Sequence, residues 1–105
     1  MTPNPKDWAL FKALVPGWQE AYMNRLNQQY TAILTSDRSP DDKFWALEKR
    51  IRKDKKSPGV ILEMTRSKME WNLISLIYDG VISLEDLTDF SDELKERITI
   101  ITNHA

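Results

Sequence analysis

Cysteine is absent from this chain of 105 residues. That removes a disulfide framework and any thiolate metal site, and it fits a reducing compartment. Glycine is scarce at three residues, which argues against a turn-rich β fold. There is one histidine, His104, next to the last residue. A histidine there is read as a tail residue, and without it no nucleophile–base triad can be built. No apolar run approaches the roughly 20 residues that span a bilayer, so no membrane role is expected. The N-terminal stretch MTPNPKDWALFKALV has one cation before its apolar part and no cleavage site, so a secretory signal is not expected. These absences together lead to an expectation of a soluble, cytoplasmic protein without a cofactor.

What is present is mostly helical periodicity. Hydrophobic residues make up 41% and charged residues 30%, a balance that supports one folded domain over residues 1–105. Asn4 and Pro5 read as a helix start, with Asp7 closing a capping-box-like pair. Pro16-Gly17 reads as an interruption. Beyond it, Trp18, Tyr22, Leu26, Tyr30 and Ile33 form one apolar stripe that predicts a second helix to Leu34. Ser39-Pro40-Asp41-Asp42 predicts the next start, with Phe44, Leu47 and Ile51 on the inward face and Trp45 beside it.

Ser57-Pro58-Gly59 repeats the start signal, and from it a long central helix is predicted over about 58–79. Its block Trp71–Tyr78 is apolar nearly all round, as the most buried helix would be. Asp79-Gly80 marks its stop. Ser83 with Asp86 predicts a capping box and Ser91-Asp92-Glu93 a last start, with a break near Phe90 and a helix to about Thr102. The expected fold is therefore all-α, a compact bundle of four to six helices.

Charge is sorted along the chain. Residues 1–48 carry a net −1, residues 49–70 a net +5, and residues 71–105 a net −5. The positive part centres on Lys49–Lys56, which holds six cations and one acid: Lys49, Arg50, Arg52, Lys53, Lys55 and Lys56 against Asp54. Such a run can contact phosphates. It can equally be a solvated helix end, or pair with the acidic C-terminal helices. The second account is preferred, because the sequence pI of 5.8 lies well below the roughly 9 usual for nucleic-acid domains. A helix-turn-helix across Lys55–Val60 is disfavoured by the apolar block that follows. The Asp79-Gly80 region fails as a calcium loop, because the twelfth position would be Asp86 where a bidentate Glu is needed. The acid pairs Asp41/Asp42, Glu85/Asp86 and Asp92/Glu93 all sit at expected helix starts, where the dipole explains them.

Four tryptophans are many for one small core. Trp8, Phe11, Trp18 and Trp45 are the candidates for an uncovered aromatic interface. The functional expectation is a small non-catalytic protein-interaction module that binds another protein or itself as a homo-oligomer. The alternative is a nucleic-acid-binding protein using residues 49–68. A further alternative, an immunity- or antitoxin-like role, rests on fold class alone.

Overall fold

The computed structural model describes residues 4–103, so His104 lies outside the described residues. Four α-helices account for most of the chain: α1 (Pro5–Leu34), α2 (Pro40–Asp54), α3 (Met69–Tyr78) and α4 (Asp92–Asn103). Two short 3₁₀ turns, Arg66–Lys68 and Leu84–Leu87, precede α3 and α4. The fold is all-α, with no strand among the described residues.

The starts at Asn4, Ser39 and Ser83 are local devices and sit where the sequence puts them. Asn4 Oδ1 accepts the Lys6 N–H at 2.8 Å, with Pro5 in the first turn. Ser39 Oγ accepts the Asp42 N–H at 3.2 Å. The capping box of Ser83 and Asp86 forms, with the Ser83 N–H donating to Asp86 Oδ2 at 2.8 Å. Gly80 ends α3 in the left-handed region at φ 74°, which lets the Val81 N–H reach Leu76 O at 2.9 Å. Asp7 departs from the expected box. Its carboxylate turns away from Asn4 and accepts the N–H (2.8 Å) and hydroxyl (2.6 Å) of Ser91, the residue before α4.

Pro16-Gly17 does not interrupt the first helix; α1 runs through it as one element of 30 residues. Pro16 takes an amide donor away from the Lys12 carbonyl. Lys12, Pro16 and Gly17 are all exposed, so that carbonyl faces water. The buried side of α1 is continuous across the break: Phe11 and Val15 before it, then Trp18, Tyr22 and Leu26. Losing the helix there would split that stripe.

The predicted long helix over about 58–79 is corrected more deeply. Only Met69–Tyr78 is α-helical, and residues 61–65 have no regular structure. The reason is a tertiary contact. The Pro58 carbonyl, which a helix would give to the amide of residue 62, instead accepts a bond from Gln19 Nε2 at 3.2 Å. Gly59 is buried against α1, so close that a Cβ there would lie 2.2 Å from the Tyr22 ring. The chain then runs back to α3, where Asn72 Nδ2 holds the Glu63 carbonyl at 2.9 Å. The two helices of the helix-turn-helix reading are thus separated by residues 55–68.

The core joins the first half of α1 to α3, α4 and the turns between them. Phe11 and Val15 meet Met69, Leu73, Ile74 and Leu76 of α3, with Val81, Ile82, Leu87, Phe90, Leu94 and Ile98 beyond. α3 is buried on one side only. Trp71 and Tyr78 are 67% and 54% exposed, which corrects the expectation of a helix enclosed all round. The second half of α1 projects from this core and packs against α2. The molecule is accordingly elongated, 52 × 25 × 19 Å. No residue of α2 belongs to the core cluster.

Candidate functional site

The unusual element is α2. Its one buried residue is the charged Asp54. The helix is held to α1 by polar contacts: the Tyr30 hydroxyl donates to Asp54 Oδ2 at 2.5 Å, and Arg50 donates to Gln29 Oε1 at 2.5 Å. Arg50 also lies 3.7 Å from Asp54, four residues along the same helix. Desolvation pushes the Tyr30 phenol up to about 12, helped by its hydrogen bond to Asp54 and by that carboxylate's charge.

The opposite side of α2 is apolar and open. Phe44, Trp45 and Ile51 are 63%, 58% and 37% exposed. Phe44 and Trp45 pack edge to face with ring centroids 5.0 Å apart. Phe44, Leu47 and Ile51 line a shallow groove of about 380 Å³ edged by Glu48, Arg52 and Lys55. Of the Phe44/Leu47/Ile51 stripe expected to face inward, Phe44 and Ile51 face outward and Leu47 is half-buried. α2 packs chiefly on α1, and the hydrogen bonds between the two run through Arg50 and Asp54.

The other predicted aromatics lie at the opposite end of the molecule. Phe11 is completely buried. Trp8 lies 6.0 Å from it, and Trp18 stands 6.4 Å from both Phe11 and Phe90. Both tryptophans are half-buried against the core. Of the four interface candidates, Trp45 alone is an exposed side chain. Phe44 and Ile51 were missed as surface residues because helical spacing shows an apolar face without showing what covers it.

Comparison with known proteins gives no match. Neither a family model, a curated protein nor a solved structure matches the chain.

The basic run divides into two sets. Arg52 and Lys55 edge the apolar groove, while Arg50, Lys53 and Lys56 line a cleft between α1 and α2. Lys49 is exposed and borders neither. Of the two forms of the preferred account, ion pairing with the acidic C-terminal helices does not occur among the described residues. Arg50 and Arg52 pair within α2, with Asp54 and Glu48. Of the acids near the last helix, Asp92 pairs with Lys95 and Glu70 with Arg97. Asp79 alone of the acidic segment 71–105 reaches the cleft between α1 and α2, and it accepts the Ser57 hydroxyl. No group of three or more His, Asp or Glu side chains suited to a metal ion occurs among the described residues. No helix among them is long and apolar enough to cross a membrane.

Proposed function

We propose that the chain is a small non-catalytic protein-interaction module, and that its partner is a second copy docked on the outer face of α2. One observation carries this reading: α2 fully buries no apolar side chain of its own, Ala46 and Leu47 being only half-buried, while it presents Phe44, Trp45 and Ile51 to solvent. Continuous apolar surface of that kind on a small protein marks an interface.

Charge supports a second copy as the occupant. α2 begins with Asp41 and Asp42, and Arg52 and Lys55 edge the groove at its end. Two such helices in antiparallel contact, centred near Leu47 and Glu48, bring the acidic start of each beside the basic end of the other. The same register sets Phe44 beside Ile51 of the second copy. The interface is then isologous and closes as a dimer.

The energy scale favours a modest affinity. A fully covered aromatic side chain buries about 150–250 Å², so two that are more than half exposed offer roughly 200 Å² per copy. At ~25 cal/mol per Å² this yields about 10 kcal/mol for both copies, comparable with the ~4–15 kcal/mol that association costs. The surplus is at most about 6 kcal/mol, so the association is weak, with a dissociation constant of roughly tens of micromolar or higher.

Sedimentation equilibrium over a concentration series tests the proposal. The native chain should show a monomer–dimer equilibrium, and Phe44→Glu should abolish it without lowering the melting temperature. A native chain that stays monomeric at high micromolar concentration overturns self-association. A dimer that survives Phe44→Glu overturns its placement on the outer face of α2.

A further inference from the structure

We infer that the cleft between the second half of α1 and the end of α2 is a binding site for a small molecule bearing two or more phosphate groups. The cleft lies on the other side of α2 from the apolar groove, so it is independent of the self-association surface. Its volume is about 660 Å³, within the roughly 300–1,000 Å³ of small-molecule sites.

Four cations line it from three stretches of chain: Arg25 from α1, Arg50 and Lys53 from α2, and Lys56 from the turn that follows. Two carboxylates, Asp54 and Asp79, line it as well, and both are engaged. Asp54 takes the Tyr30 hydroxyl and faces Arg50. Asp79 accepts the hydroxyl of Ser57. The lining is thus net positive by two charges, and the Lys53 and Lys56 ammonium groups have no acidic or hydrogen-bonding partner among the described residues.

Arg25 is the fixed part of the site. Its Nη2 donates to the Gly80 carbonyl at 2.9 Å, and the guanidinium lies over the Tyr22 ring, 5.2 Å from the centroid. A guanidinium held this way keeps its remaining N–H groups oriented, which suits the oxygens of a phosphate. Lys53 and Lys56 are exposed, mobile point charges suited to a second phosphate. Like charges gathered in a concave wall raise the local potential and draw in anions.

A nucleic-acid backbone fits less well. It needs a continuous track of cations, and here Arg52 and Lys55 lie on the other side of α2. What Lys53 and Lys56 share with Arg25 is one pocket, not one line.

The test is titration calorimetry of the full chain with inorganic tripolyphosphate, orthophosphate and a short single-stranded oligonucleotide, at low and physiological salt. Two double variants carry equal charge loss: Lys53→Gln/Lys56→Gln inside the cleft and Lys49→Gln/Lys55→Gln outside it. All four lysines are exposed, so both variants should melt as the native chain does. Tripolyphosphate should bind at least about tenfold more tightly than orthophosphate, because it spans both ends of the site. At physiological salt the cleft variant should lose about tenfold or more and the outer variant no more than about threefold, since charges outside the cleft are screened there. Equal losses in the two variants would reduce the effect to overall charge and overturn the site. Absence of tripolyphosphate binding at millimolar concentration would overturn it too. Binding of the oligonucleotide without tripolyphosphate would replace it with a nucleic-acid surface.

Discussion

Replacing Gly59 with alanine adds a single methyl group, and its effect can be worked from one contact. The new Cβ would lie 2.2 Å from Tyr22 Cδ2 and 2.7 Å from Cγ and Cε2. Ordinary carbon–carbon contact begins near 3.5 Å, so ring or backbone must move by more than an ångström. The ring cannot swing without leaving Arg25, which is stacked on it and bonded to Gly80. Overpacking of this kind costs about 1–3 kcal/mol. Gly59 is not among the residues with positive φ, so alanine meets no backbone strain there. The substitution also gains ~0.4–1 kcal/mol by restricting the unfolded chain. The net loss should be about 0.5–2.5 kcal/mol, seen as a lower urea midpoint with an unchanged slope. The melting temperature should fall by several degrees, at ~4–8 °C per kcal/mol for a domain near this size. A double-mutant cycle sharpens the test. In a Tyr22→Ala background the clash is gone, and Gly59→Ala should become neutral or slightly stabilising. If Gly59→Ala stabilises the native chain, the docking of the 57–60 turn on α1 is wrong, and with it the reason the central helix starts late.

Leu73→Ala should cost about 2–5 kcal/mol, whereas Trp71→Ala, two residues away on the exposed side of α3, should stay within ~0.5 kcal/mol; equal losses by chemical denaturation would reject the one-sided burial of α3. Asp7→Ala should cost ~1.5–3 kcal/mol, because it strips a charged acceptor from the Ser91 N–H and hydroxyl, and amide exchange in the first turn of α4 should quicken. If exchange there is unchanged, α1 and α4 are not joined through that carboxylate. Tyr30 should titrate near 12 by ultraviolet difference absorbance while folded, about two units later than a free phenol. Folding favours the neutral phenol, so its stabilisation is complete below pH 10 and is lost as pH rises toward 12. Asp54→Asn should bring the titration earlier, and an unshifted midpoint in the native chain would remove the Tyr30–Asp54 bond.

What the sequence determined by itself is what neighbouring residues decide. Ser39-Pro40, Ser83 with Asp86, and Asp79-Gly80 bound their helices as read, because a cap or a left-handed glycine acts within three or four residues. The all-helical class and the burial of Leu73, Ile74 and Leu76 follow in the same way from spacing. The tertiary structure decided the rest. It carried α1 through Pro16, because the buried stripe is continuous and the lost bond faces water. It turned Ser57-Pro58-Gly59 from a helix start into a docked turn, because Tyr22 and Gln19 lie about 40 residues earlier in the chain. The same holds for the candidate surfaces. The periodicity of α2 shows an apolar face and a basic run, but whether either is covered depends on which other elements reach it. α2 packs chiefly against α1, which meets the side that carries Arg50 and Asp54, so Phe44, Trp45 and Ile51 remain outside.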